Sequence, residues 1–313
     1  MSSYFLDQPP MLSHIHFVLQ KRSFFLPTDI ATLSYLFVNS ILIIIFNPQL
    51  PGWWRFLLLH LGIASSILFW ASIKTVHPTF RFFRNWYPFL LVTFLFWESE
   101  NFVHLIFPDW KNEWLIAADF QLLGGHPTVA LEKITNRYLT EFFEFIYFTY
   151  YFVPVFGLWI YFKKTERNFQ HFAAHYLLAL YLGYLIFPLL PAEGPWKTLA
   201  GQQTMLIEGK WIFRQLNDYL HHQGAIVGGC FPSTHLSAAT AVVFGARLWE
   251  KKFFWGSVIW FALLFFATVY GRYHYFVDGL AGLAVGTIAL LASSALVRRF
   301  YPENPALISG ETR

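Results

Sequence analysis

The chain has 313 residues, of which 56% are hydrophobic, 21% aromatic and only 13% charged, with a formal net charge of +4. A soluble domain of this length could bury so apolar a core, but its remaining surface would be too greasy for water. Nor do basic residues in short groups form the continuous basic face that binds nucleic acid. A single cysteine, Cys230, excludes an internal disulfide and a zinc site built from cysteines.

In chain order, the first 25 residues carry no cleavable signal pattern, because their short apolar stretch is broken by Gln20-Lys21-Arg22. Crossing a bilayer as helix takes about 20 apolar residues. Segments near 30–46, 53–74, 86–107, 141–162, 171–190, 231–248, 254–270 and 275–297 approach that length. Aromatic residues such as Trp53-Trp54, Trp86-Tyr87 and Trp159 with Tyr161 gather at their ends, as in the interfacial belts of membrane proteins. The expected fold is all-α: a polytopic bundle of about eight transmembrane helices. Residues 1–107 form an amino-terminal segment with three spans, 108–297 a core with loops 108–140 and 191–230, and 298–313 a tail.

With the amino terminus inside, the inner segments hold Lys21, Arg22, Lys74, Arg81, Arg84, Lys163, Lys164, Arg167, Arg247, Lys251, Lys252, Arg298 and Arg299. The positive-inside rule then places both termini in the cytoplasm, and 191–230 and 271–274 outside the cell (inner) membrane. In the external 108–140 connection, Gly124-Gly125-His126-Pro127 breaks the chain, and an interfacial helix is expected there.

Two stretches depart from this apolar grammar. In GGCFPSTHLSA (228–238), Pro232 suits the first turn of a helix, leaving the N–H groups of Ser233, Thr234 and His235 as an anion cradle. In GRYHYFVDGLAG (271–282), His274 and Asp278 are four apart, so they are neighbours on a helix. A carboxylate beside an imidazole fixes its tautomer and frees the other nitrogen to attack. Arg272 offers a permanent charge for an anionic substrate. Taken singly, each motif reads as an ordinary helix start, a hydrogen-bonded pair or half a metal site. Both fall at a helix amino terminus on one membrane side, which favours chemistry.

At these residues the chain resembles the type-2 phosphatidic acid phosphatase superfamily. Pro232-Ser233-Thr234-His235 is similar to its PSGH motif, and His274 to Asp278 to the end of SRxxxxxHxxxD. The resemblance runs over roughly 119–290 and implies a six-helix catalytic core, a transiently phosphorylated His274, an orienting Asp278 and His235 as acid, with no metal or other cofactor. The third-motif arginine falls on Thr268, and Pro195-Trp196 stands where a Pro-Arg pair is expected. Arg272 and Lys197 are the candidates for the lost charge, beside Ser233 and Thr234 as phosphate ligands. With the Asp119–Thr128 stretch, the pattern is most similar to the inositol phosphorylceramide synthase branch. The expected activity is lipid phosphate hydrolysis at the extracytoplasmic face, or transfer of a phosphoryl-headgroup to a lipid hydroxyl.

Ionisable residues within spans suggest function by default. His60, Glu98, Glu100, Asn101, His104, Glu141 and Glu144 fall in the outer halves, where a chamber for an alcohol or sugar headgroup would gather them. Pairing among themselves explains each singly, and His175 reads as structural. A haem carrier using His60, His104 and His175 is the rival of another class. Gly279, Gly282 and Gly286 predict close helix packing.

Overall fold

The computed structural model describes residues 24–73 and 77–302. Lys21, Arg22 and Lys74, on which part of the orientation rests, and all of the tail beyond 302 lie outside the described residues. Helices α1 (Pro27–Ile45), α2 (Trp53–Ser72) and α3 (Pro78–Ser99) lead into the 108–140 connection, which holds α4 (Asn112–Leu123) and the single turn α5 (Pro127–Ala130). The core follows as α6 (Arg137–Phe148), α7 (Val153–Lys163) and α8 (Glu166–Ile186). A cap comprising α9 (Pro195–Thr198) and α10 (Phe213–Gly224) precedes α11 (Thr234–Trp249), α12 (Phe254–Tyr270) and α13 (Phe276–Phe300). The protein is an all-α integral membrane protein.

All eight expected spans are present as helix, with α6 and α7 joined by a 3-10 turn into one 27-residue span. Six are long and apolar enough to cross a membrane. The exceptions have physical reasons. α11, at 16 residues, reaches only about 24 Å at 1.5 Å per residue. α3 carries Arg81, Arg84 and Glu98, and it starts at Pro78, well before the expected 86. Its apparent amino-terminal limit was set by Arg84, whose charge is hidden rather than exposed. Arg84 grips both carboxylate oxygens of Asp29 on α1, and the Tyr87 hydroxyl donates to the same carboxylate at 2.7 Å.

α8 is the hub: 72% of its apolar window is buried, and α1, α3, α7, α11 and α13 pack around it. Between helices in lipid, packing and interhelical hydrogen bonds replace the hydrophobic drive. Tyr35 stacks on Tyr181 at 4.7 Å, and the Thr32 and Tyr181 hydroxyls meet at 3.1 Å. α13 approaches α11 through the predicted glycines. A Cβ on Gly282 would lie 2.6 Å from the Ser233 carbonyl, and one on Gly286 would lie 2.7 Å from that of Ser237.

The two ends of the bundle are distinct. At one, Arg81 pairs with Glu166 and Lys164 with Glu250. At the other, the Lys111 N–H donates to the Pro191 carbonyl and the Trp196 N–H to that of Arg272, gathering the 108–140, 191–230 and 271–274 segments into a roof. Gly124, at φ 70, ends α4 in the left-handed conformation that glycine adopts freely. Trp114, Phe120 and Leu122 on α4 stay exposed while Leu115 and Asp119 face inward, the pattern expected of a helix lying in an interface.

Candidate active site

The first wall of the site is the start of α11. Ser233 is its N-cap, with Oγ accepting from the Leu236 N–H at 3.4 Å. Pro232 therefore sits before the cap, joined to Phe231 by a cis peptide, and not in the first helical turn as the sequence suggested. The serine is the residue able to satisfy a first-turn donor, and it takes the cap position. The Ser233 N–H donates to the Asp278 carbonyl at 3.3 Å, so the expected trio of free donors becomes the pair on Thr234 and His235. Thr234 turns its methyl towards Gly183 of α8.

The second wall is the start of α13. The backbone N–H groups of Tyr273 and His274 both donate to the Thr268 carbonyl, at 3.0 and 3.1 Å, which folds the 271–274 turn over the end of α12. His274 Nδ1 then lies 3.4 Å from Asp278 Oδ2. The same oxygen accepts from the Tyr275 N–H at 3.1 Å and from Cys230 Sγ at 2.9 Å, while Oδ1 is buried with no partner among the described residues. Cys230, His274 and Asp278 bring a thiol, an imidazole nitrogen and a carboxylate oxygen within 4.8 Å of one another. Such a mixed donor set is of the kind that holds a borderline metal such as zinc. As it stands the thiol is a neutral donor, because burial and then the Asp278 charge push its pKa up.

A carboxylate from the distant α4 completes this wall. Asp119 accepts from the N–H groups of Phe276 and Val277, at 3.0 and 2.9 Å, and so occupies the amino terminus of α13. Burial raises its pKa, and these two hydrogen bonds oppose the rise.

His235 faces His274 across the site, ring centroids 5.7 Å apart. Its Nε2 meets the Tyr147 hydroxyl at 3.1 Å, and its Nδ1 is buried with no partner among the described residues. Tyr147 in turn stacks on Tyr273 at 4.3 Å.

The two candidate cations lie apart from this pair. Arg272 adopts a positive φ of 64°, and its guanidinium donates to Glu132 and to the Met205 carbonyl, each at 2.7 Å. Burial lowers its pKa although Glu132 opposes the shift. Glu132 is held below the usual carboxylate range: burial pushes it up, but hydrogen bonds from Thr204 and the Arg272 charge prevail. Lys197 is 53% exposed and pairs with Glu193.

Sequence reasoning missed a third cation and a third histidine, both on the cap helix. Arg214 reaches Glu144 at 2.9 Å, and Tyr273 donates to the same carboxylate at 2.9 Å. His221 lies 5.9 Å from the Tyr273 ring and 5.5 Å from that of Trp196, with burial and then His222 lowering its pKa. Neither residue belongs to a local motif, and no spacing announces them.

The expected polar chamber resolves into separate pairs. His60 binds Glu98 at 3.2 Å and Ser40 at 2.7 Å, between α2, α3 and α1. Glu100 accepts from the Val227 N–H at 3.0 Å, and Asn101 turns back to the Glu98 carbonyl. Glu141 and Glu144 hold the start of α10 through the Phe213 N–H, Arg214 and Asn217. His104 meets the Phe107 carbonyl, and His175 meets Thr240 and the Gly286 carbonyl at 3.0 and 2.9 Å. The three histidines considered as haem ligands are thus engaged in three different places.

The family model described as the PAP2 superfamily matches residues 113–292, the stretch that builds both walls and the roof. The chain belongs to the PAP2 superfamily. It is a membrane enzyme of that superfamily's lipid phosphatase and phosphotransferase type. The inositol phosphorylceramide synthase catalytic subunit AUR1 of Saccharomyces cerevisiae is 25% identical over 312 residues, covering 90% of this chain and 74% of the relative. That similarity extends to α1–α3, outside the superfamily match. No solved structure matches the chain.

Proposed function

We propose that the protein transfers a phosphoryl group, with or without its headgroup, from a membrane lipid phosphate ester to a lipid hydroxyl through a covalent adduct on His274. The observation that carries this reading is the pairing of His274 Nδ1 with Asp278 at 3.4 Å while the His235 ring stands 5.7 Å away. Asp278 keeps the Nδ1–H tautomer and stabilises positive charge, so Nε2 carries the lone pair that attacks phosphorus. His235 protonates the departing alcohol, and the backbone donors in the first turn of α11 stabilise the phosphoryl oxygens. A transferase is favoured over a phosphatase because His274 and Asp278 are buried beneath the cap and the similarity to AUR1 spans most of both chains. Hydrolysis would follow the same first step, with water replacing the lipid hydroxyl. The positive ends of the inner loops support a site facing away from the cytoplasm.

The test is turnover of phosphatidylinositol and of phosphatidic acid in mixed micelles containing EDTA, with and without a ceramide acceptor. The wild type forms an acid-labile phosphoryl adduct and passes the group to ceramide faster than to water, metal-free. His274→Ala loses on the order of a thousandfold or more in rate, and Asp278→Asn folds normally but is crippled. Near-normal activity in His274→Ala sinks the proposal, and loss in EDTA restored by a divalent ion would make His274 and Asp278 ligands instead.

A further inference from the structure

We infer that Tyr147 is a positioning residue that fixes which nitrogen of His235 moves the proton, an inference resting on the phosphohistidine reading above. The His235 ring is held on two sides: the Tyr147 hydroxyl meets Nε2 at 3.1 Å, and Tyr150 packs edge-on with ring centroids 4.6 Å apart. Nδ1 alone is left without a protein partner among the described residues, and it is buried. A buried imidazole nitrogen without a partner is costly unless a ligand completes it. Tyr147 cannot easily swing away, since it is 6% exposed and its ring lies against Tyr273 at 4.3 Å and 17°.

This arrangement dictates the proton inventory. To act as an acid, His235 must carry protons on both nitrogens, so Nε2–H donates and the phenol oxygen accepts. The charge of the arriving phosphate favours that cation. As His274 Nε2 bonds to phosphorus, the bond from phosphorus to the leaving oxygen breaks with its electron pair, and that oxygen takes the Nδ1 proton. His235 is then neutral, still carrying Nε2–H on the Tyr147 oxygen. In the second half, Nδ1 removes the proton of the acceptor hydroxyl as its oxygen bonds to phosphorus and the pair of the N–P bond returns to His274. Without the phenol, Nε2 has no partner and the ring is free to turn, so Nδ1 is no longer held towards the reacting oxygens.

The experiment uses the full-length protein and donors that share a headgroup but differ in leaving group. The pairs are phosphatidylinositol against p-nitrophenyl inositol phosphate, and phosphatidic acid against p-nitrophenyl phosphate. An alkoxide needs the proton and p-nitrophenolate scarcely does, so removing acid catalysis, typically worth 10²–10⁴-fold, is felt mainly by the lipid donor. Adduct formation is followed in a single turnover. Tyr147→Phe, which keeps the stacked ring, is expected to slow it about tenfold with the lipid donor and by about twofold or less with the aryl donor. In a His235→Ala background the same change is expected to add nothing, as a residue acting through His235 requires. Equal slowing of both donors, or additive losses in the cycle, overturns the inference and makes Tyr147 a packing residue. If no donor gives turnover dependent on His274, the phosphohistidine reading falls first and the inference with it.

Discussion

At the scale of single residues, the proposed catalytic set was legible where its members are local in sequence. His274 and Asp278 are four apart, and His235 belongs to a compact motif at a helix start. Asp119, Tyr147, Arg214 and His221 come from three other helices, and only folding brings them near. The cations illustrate the difference. Arg272 and Lys197 were both readable as replacements for the superfamily's lost charge, but their surroundings separate them. Lys197 points outward in an exposed pair with Glu193, and such pairs are worth about 0–1 kcal/mol. Arg272 is mostly buried, and its guanidinium binds the 131–134 turn and the 203–212 loop to the mouth of the site. Arg272→Ala should therefore cost about tenfold or more in kcat/KM, while Lys197→Ala stays within about twofold. Arg272→Lys should recover only part, because an ammonium cannot span Glu132 and the Met205 carbonyl as a guanidinium does. Kinetics on the three variants decide the order, and a silent Arg272→Ala beside a dead Lys197→Ala reverses it.

At the scale of elements, helix existence was readable from apolar runs, and helix limits failed where a charge has a distant partner. α3 was placed too late because nothing near Arg84 reveals Asp29, 55 residues away. α11 and α13 meet as predicted, with glycines marking their contact. Gly282→Ala puts a methyl against the Ser233 carbonyl, a backbone atom that cannot rotate aside. Overpacking of this kind costs about 1–3 kcal/mol, and here it also parts the His235 and His274 rings. Thermal unfolding in detergent should register the loss, with activity falling further than stability explains; an active, fully stable variant would mean that the helices slide freely. The roof gives a pH signature. Glu132 has a lowered pKa, so its contribution is complete above the ordinary value of 4.5 and is lost as pH falls through the lower folded value. The melting-temperature gap between wild type and Glu132→Gln should be open at neutral pH and close below 4.5, whereas a pH-independent gap assigns the effect to shape alone.

At the scale of the whole molecule, the clustering of three connections at one end follows from alternation of the helices, but their docking was not readable. Sidedness can be measured with a cysteine scan in a Cys230→Ser background, because Cys230 itself is buried against Asp278 and should resist an impermeant reagent. A cysteine at Leu206, 82% exposed on the roof, should label from outside intact cells, and one at Lys252 only after permeabilisation. The reverse pattern would turn the site towards the cytoplasm. An apolar cleft of about 270 Å³, lined by residues including Pro127, Leu131, Phe265 and Phe276, opens beside the first turn of α13. The facing of His235 and His274 sets one more observable. On the proposed mechanism a single nitrogen of His235 serves both the departing and the incoming alcohol, so the first has to vacate its place before the second arrives. Each displacement inverts phosphorus, and two in succession restore its handedness. A donor made chiral at phosphorus by a sulfur or heavy-oxygen label should therefore emerge with its configuration retained, and double-reciprocal plots of rate against acceptor at several donor concentrations should be parallel lines.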